Sequence, residues 1–431
     1  MKFVKTEDLK VGMRVAKPIY NRLGVLLYDR ESTLTPQAVS SVENFGLIGL
    51  YILEPAEPAP PITPEEIEFE RFQTIYIFRL KEIMDSLRAG KASKDIYTLS
   101  ETIIQEYGSL DHRFPFSQNL RSKEDYHYKH CLNVAILCAM ICKQLKVNHE
   151  DTLGVVSAAL LHDIGLLDMP EYILAKTDDD LTDEDVELLT KHLQQSYHML
   201  QPATNLFDLP KETLSIIVQT NKAYYHPKYP KDRNARFTMN ARILQVANEY
   251  DTKTAMRLTT PPMSDINAFR FLHDHPTYYD ERVVKALTDS IYIVPRGCSV
   301  ELSNGQKAMV IEANASNFME PVVLQFSDNR MIDLSNRRSA GGIYITDIMK
   351  TMDNRIHIDE DTLKQFTVDA HLSAQLNKLR SKKTSARLVG NPAKPAAASV
   401  VKAGSAEATA ATTPTATEAP PKPKKKKPKL L

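Results

Sequence analysis

The stretch Leu160–Lys176, LLHDIGLLDMPEYILAK, sets His162 directly beside Asp163 at the close of an apolar run, with a turn glycine at Gly165. The residues before it, EDTLGVVSAALL, are too uniformly apolar for a surface helix and read as a buried one. His130 interrupts a second apolar helical run, DYHYKHCLNVAILCAMICKQL, and His192 a third, LTDEDVELLTKHLQQSYHMLQ. Any one of these histidines alone is more simply a hydrogen-bonded core residue. Together, on three successive helices and with an adjacent His-Asp pair, they predict a convergent site inside a helical bundle. Imidazole with carboxylate suits Fe, Mn or Zn. An aspartate beside a histidine can bridge two metals, and two metals can activate water and stabilise a phosphorus-centred transition state.

Working outward, residues 123–290 read as helix after helix with short loops. Thr182 is an N-cap candidate with acids in the turn that follows, which favours the helix dipole. Residues 64–122 form a helical connector, EEIEFERFQTIYIFRLKEIMDSL, which suits either a stalk or packing on the core. Before it lie a proline-rich linker over 54–63 and a small α+β unit over 1–53. In that unit RVAKPIYN, GVLLYDR and LIGLYIL are predicted strands, and Thr35-Pro36 opens a helix that stops at Gly46. After the bundle the period changes. CSVELSNGQKAMVIEAN alternates around Asn304-Gly305, a hairpin signal, and PVVLQFSDNRMIDL adds two short strands, which gives a small β unit over 291–350. A helix is expected within 351–382. Residues 383–431, rich in Ala, Lys, Thr and Pro, are expected to be disordered.

The chain has 431 residues, room for two or three domains, and 42% hydrophobic residues, enough for a core. Its 54 basic and 54 acidic residues balance, which argues against a general nucleic-acid binder. The tail PPKPKKKKPKLL is strongly basic, which leaves the folded part mildly acidic, and it suits an acidic partner surface or a solvated end. No apolar run reaches the roughly 18–20 residues of a membrane span, and MKFVKTEDLKVGM lacks the apolar core of a signal peptide. Cys131, Cys138, Cys142 and Cys298 read as reduced, buried thiols, so a cytoplasmic protein is expected.

Residues from about Asp125 to Thr260 resemble the HD-GYP domain, a subgroup of the HD phosphohydrolases that hydrolyse the bacterial messenger cyclic di-GMP. DYHYKHCLNVAIL is similar to its first ligand helix. LLHDIGLLDMPEYILAKTDDDLTDED resembles its His-Asp-x-Gly signature, KHLQQSYHML its next histidine helix and ARILQVANEYDTKTAMR its late helix. The resemblance implies a mainly α fold: an all-helical HD-type bundle flanked by a small N-terminal α+β unit and a small C-terminal β unit. It implies His130, His162, Asp163 and His192 as metal ligands, and Asp163 and Lys176 as catalytic. Lys176 and Arg257 become phosphate contacts, Fe or Mn the expected divalent metal, and cyclic di-GMP the ligand. Asp251, Thr254 and Arg242 also match and suit bracing roles.

The departures are specific. Where the family has a His-His pair leading to Gly-Tyr-Pro, this chain reads TNKAYYHPKYP. Aligned on Tyr229-Pro230, the histidines become Thr220 and Asn221, an aspartate becomes Tyr225 and the glycine becomes Lys228. The late-helix ligand aspartate is Asn248. An acidic ligand one turn before His130 falls on Tyr126, beside Asp125, and the lysine after the signature is Leu166. Amide and hydroxyl oxygens are poorer ligands than imidazole or carboxylate. The reading is therefore a phosphohydrolase-like protein with reduced or lost phosphodiesterase activity. The alternative is a catalytically inactive nucleotide-binding or scaffold protein. His226 is a loop histidine that could replace a missing ligand or sit on the surface. A homodimer or protein partners are expected, and no specific nucleic acid.

Overall fold

The computed structural model describes residues 2–21, 25–53, 63–91, 95–174, 176, 180–206, 210–225, 237–258, 260–294, 296–314 and 317–348. The expected helix within 351–382, the basic tail, His226, Lys228, Tyr229 and Pro230 lie outside them.

The chain opens with β1 (Lys2–Lys5), β2 (Arg14–Val15), β3 (Ile19–Tyr20), β4 (Leu26–Tyr28), α1 (Pro36–Asn44) and β5 (Gly49–Leu53). Strands β1, β5 and β2 form an antiparallel sheet in that order, and β3 pairs with β4. Thr35 caps α1 by accepting from the Ala38 N–H at 3.1 Å, Pro36 occupies the first helical position, and Gly46 takes φ +63° beyond its end. Val4, Val15, Ile19, Leu34, Val42, Leu50 and Ile52 fill the small core between α1 and the sheet. Backbone bonds from Ile48 N to Arg121 O (2.9 Å) and from Lys123 N to Gly46 O (3.3 Å) tie this unit to the helical body.

Next come α2 (Pro64–Arg88) and α3 (Asp95–Tyr107), which the sequence reads as one continuous helical stretch. Thr63 and Glu66 form a reciprocal capping box that fixes where α2 starts. Phe69, Leu80, Ile83, Met84 and Leu87 of α2 and Ile96, Leu99 and Ile103 of α3 enter the main core, so both helices pack rather than project.

That core is centred on α4 (Tyr126–Leu145). Every residue from His130 to Cys142 is buried, as befits a helix apolar on all sides. Lys146, at φ +56°, ends it in the left-handed conformation. Around α4 are α5 (His149–Leu161), α6 (Glu171–Leu174), α7 (Asp183–Leu206), α8 (Glu212–Tyr225), α9 (Met239–Thr254), α10 (Asp265–Asp274) and α11 (Glu281–Ser290). Side chains of Asn148, Thr238, Ser264 and Asp280 cap α5, α9, α10 and α11. The four cysteines are free and buried. Among the described residues, no helix is long and apolar enough to cross a membrane.

Asp280 also meets Arg242 at 2.9 Å and Arg282 at 3.0 Å. Burial pushes its carboxyl up, but bonds from Arg282 and Arg242 outweigh this and lower it to about 2. A carboxyl depressed in the folded state stabilises fully above its unfolded value near 4, and that stabilisation is lost as pH falls toward 2. Asp280→Asn keeps a capping oxygen and removes the charge. The stability gap between the parent protein and this variant is expected to shrink between pH 4 and pH 2, which urea melts at stepped pH would measure. A gap that stays constant through that window would contradict the assignment.

The chain finishes with β6 (Ser299–Leu302), β7 (Lys307–Glu312), β8 (Val322–Gln325), β9 (Met331–Asp333), α12 (Arg337–Ala340) and β10 (Ile345–Ile348). The five strands form one antiparallel sheet in the order β10-β6-β7-β8-β9. Gly305 at φ +76° turns the β6–β7 hairpin, where a side chain would be strained. Arg270 of α10 donates to the carbonyls of Ile345 (2.9 Å) and Thr346 (3.2 Å), which fastens the sheet to the bundle. Helices therefore dominate the architecture, with a small α+β unit before them and a small sheet after them.

Candidate metal centre

His127 and His130 lie three residues apart on α4, a spacing that puts both rings on one face. Opposite them α5 ends. Leu161 is its last helical residue, His162 its C-cap, and Asp163 leads into a 3-10 turn over Ile164–Asp168. Gly165, inside that turn, touches α7 so closely that a Cβ there would lie 2.8 Å from Ser196 Oγ and 3.1 Å from the His192 carbonyl carbon. The turn is thereby pinned, and the two adjacent side chains, His162 and Asp163, both meet α4.

Ligand atoms of His130, His162 and Asp163 all lie within 4.8 Å of one another. Asp163 Oδ1 is 3.5 Å from His162 Nε2, and Asp163 Oδ2 is 3.8 Å from His130 Nε2. The outer bonds decide which nitrogens are free. His162 Nδ1–H donates to the Ala159 carbonyl at 2.8 Å, and His130 Nδ1–H donates to Asp251 Oδ2 at 2.6 Å. In a neutral imidazole with Nδ1 protonated, each Nε2 would be left with a lone pair. His162 Nε2 is buried without a hydrogen-bond partner. Burial lowers the basicity of the His162 imidazole, so it stays neutral. Burial pushes the Asp163 carboxyl up, but the His162, His127 and His130 imidazoles outweigh it and hold it well below the usual carboxylate range. With both imidazoles neutral, two lone pairs and an anionic oxygen would face one point, an arrangement that a cation between them would hold together. The donor set therefore fits a divalent metal.

A buried polar cluster stands behind His130. Asp251 on α9 takes Arg121 Nη2 on both oxygens, at 2.8 and 2.6 Å, and Gln118 and Asn133 also donate to it, at 3.0 and 3.1 Å. Gln73 of α2 donates to Asn133 at 2.8 Å. Arg121 and Asp251 are both 0% exposed. Burial pushes the Asp251 carboxyl up, but Arg121 and His130 hold it well below the usual range. The Tyr126 ring stacks on His130 with an interplanar angle of 16°, and the Arg121 guanidinium lies 5.0 Å from the ring centre. Asp125 instead binds Ser122 N (2.7 Å) and Lys129 (2.6 Å).

The other sequence candidates are placed as follows. His192 is half-buried on α7 and outside the three-residue cluster, with its backbone against Gly165. Thr220 is fully buried and its hydroxyl donates to the Ile216 carbonyl at 2.9 Å. Asn221 Nδ2 donates to the His162 carbonyl at 3.3 Å. Asn248 Oδ1 accepts from Thr252 at 3.4 Å. Lys176 is paired with Asp185 at 2.5 Å, and Asp185 caps α7 together with Thr182. Arg257 lies near enough to Tyr126 to act on it electrostatically. Leu166 packs with Met169, Ile173, Leu189 and Leu193. Arg242 braces Asp280, and Thr254 accepts from Gln118 at 2.9 Å.

Two contributors escape the sequence reading. His127 Nδ1 lies 3.1 Å from Asp163 Oδ2, and the His-x-x-His spacing on an apolar helix was the available signal. Arg121 sits in an irregular segment and carried no such signal.

Residues 110–283 match the family model described as HD domain. The match covers less than half of the chain. Two curated relatives align across it. A cyclic di-GMP phosphodiesterase of Pseudomonas aeruginosa is 26% identical over 217 residues, 49% of this chain and 50% of that protein. Cyclic di-GMP phosphodiesterase PdeB of Borreliella burgdorferi is 26% identical over 226 residues, 51% and 57% of the two chains. The chain thus spans about half the length of the curated relatives it matches. Among solved structures, an HDG"Y"P protein from Bdellovibrio bacteriovorus aligns with TM-score 0.38 at 15% identity, over 67% of this chain and 98% of that one. In the matched segment, the paired His162 and Asp163 are the residues that end α5 beside His130.

Proposed function

We propose that this chain is a metal-dependent phosphodiesterase-type protein of cyclic di-GMP signalling whose hydrolysis is reduced or lost. The observation that carries the reading is the convergence of His130, His162 and Asp163, with a buried His162 Nε2 that has no partner. The names of the two relatives support cyclic di-GMP as the ligand. A divalent cation, Fe or Mn, would supply Lewis acidity toward a phosphodiester oxygen. His130, His162 and Asp163 would hold it. Asp251 and the Ala159 carbonyl keep both imidazoles in the ligating tautomer. Arg257 offers a guanidinium fork for phosphate. Lys176 can do the same only by sharing or leaving Asp185.

The reduced activity rests on Thr220, Asn221 and Asn248. Each has a neutral side chain already bonded to protein atoms, so none adds negative charge to neutralise a second cation. The same observation favours a second reading, a nucleotide-binding or scaffold protein without catalysis. Metal content after anaerobic purification, paired with cyclic di-GMP binding and turnover, tests both. The expected result is no more than about one Fe or Mn per chain, with slow or no turnover and with dinucleotide binding that Arg257→Ala weakens. Two metals per chain with sustained hydrolysis would overturn the reduced-activity reading. Neither metal nor dinucleotide binding would overturn both.

A further inference from the structure

We propose that the cavity between the N-terminal unit and the helical body is a binding site for a small, neutral, fused-ring compound that carries an N–H donor. The cavity measures about 200 Å³. Its apolar wall takes Pro18, Phe45 and Leu47 from the N-terminal unit, Ile77 and Phe78 from α2 and Tyr128 from α4. An apolar cavity of roughly 150 Å³ holds one benzene ring, so this one suits a ring system one size larger. Its charged lining balances, with Lys17, Lys81 and Lys129 against Glu70, Glu124 and Asp125, which suits a neutral ligand better than an ion.

Two almost wholly buried polar side chains line the same cavity, Gln73 at 2% exposure and Ser117 at 5%. The Gln73 amide is oriented from the side of the metal centre. Asp251 can only accept, so Asn133 gives it Nδ2 at 3.1 Å and turns Oδ1 toward Gln73. Gln73 must then donate Nε2 to Asn133 at 2.8 Å, and its Oε1 has no hydrogen-bond partner among the described residues. Ser117 Oγ has none there either, since the Ser117 contact with Gln73 runs through its carbonyl. Asn119, close by in the chain, has both amide atoms buried without a partner. This segment therefore has more hydrogen-bonding capacity than the protein uses. An acceptor set in a largely apolar wall favours a flat ligand that brings a donor to it. The site uses none of the residues assigned to the metal, so it stands or falls apart from that reading. Gln73, Asn133 and Asp251 nevertheless join it to His130 by a continuous run of hydrogen bonds.

Indole is the probe, and indene has the same ring shape without the N–H. The chain contains no Trp, so indole emission excited beyond tyrosine absorption reports the ligand alone. The full-length protein is expected to bind about one indole per chain. Indene should displace it with an affinity at least about threefold weaker, the scale of one net hydrogen bond. Gln73→Met keeps the length of the side chain and removes the acceptor. It should bring the two ligands to within about twofold of each other, whereas a general disturbance of packing would weaken both alike and keep the preference. No saturable indole binding by the unsubstituted protein would overturn the proposal. So would indene binding as tightly as indole, or a preference for indole that survives in Gln73→Met.

Discussion

Asp251→Ala is expected to be among the most destabilising single substitutions in the helical bundle, at about 3–5 kcal/mol. Arg121 is 0% exposed and its charge is balanced by Asp251, which it binds through both oxygens. Removing the carboxylate strands a guanidinium away from water, and it also removes acceptors used by Gln118, Asn133 and His130. Urea unfolding monitored by circular dichroism would measure the loss. Arg121→Met combined with Asp251→Leu should recover much of it, because an apolar pair of similar bulk needs no partner. The double variant would still lose the bond that sets the His130 tautomer, so metal affinity should fall even where stability returns. A single Asp251→Ala variant within about 1 kcal/mol of the parent protein would contradict the account.

Gly165→Ala should destabilise by about 1–3 kcal/mol. The added methyl meets Ser196 Oγ and the His192 backbone, and the backbone cannot swing aside as a side-chain tip can. Either α7 or the turn carrying His162 and Asp163 must move. Adding Ser196→Ala relieves the hydroxyl contact alone, so the pair should recover only part of the loss. Full recovery would mean that the carbonyl contact is unimportant. Thermal melts of the two variants, with and without added Mn²⁺, would measure both the packing loss and any change at the ligands.

The fold was largely legible because local rules and burial agree. Thr35-Pro36 before α1, Asn304-Gly305 in the β6–β7 turn and Thr182 before α7 are short-range chemistry that tertiary contacts leave intact. The uniform apolar run of α4 announced a central helix. The break between α2 and α3 has a local sign, Gly90 at φ +69° just past the end of α2, inside a stretch whose apolar spacing otherwise reads as helical. At the site, the His162-Asp163 pair was visible because the two ligands are adjacent in sequence. Beyond its spacing from His130, His127 carries no local sign of its role, because its partner Asp163 lies 36 positions away on another helix end. Arg121 could not be read, because its meaning depends on a partner on α9 that nothing local identifies. Lys176 shows the converse: the family resemblance implied a phosphate contact, and the Asp185 carboxylate that it meets at the start of α7 has no local sign in the sequence.

The bonds behind His130 also bear on the order in which the molecule assembles. Gln118 reaches Asp251 across 133 positions, Arg121 across 130 and His130 across 121. Contacts between such distant positions form only after long segments have been brought together, whereas α4 and α5 are neighbours in the chain. The helical pair should therefore take shape early in folding, and the ligand geometry late. Substitutions at Asp251 should then speed unfolding and leave the refolding rate nearly unchanged. A metal arriving during folding would find the last part of the molecule to set, and it would lengthen the lifetime of the finished fold without hastening its formation.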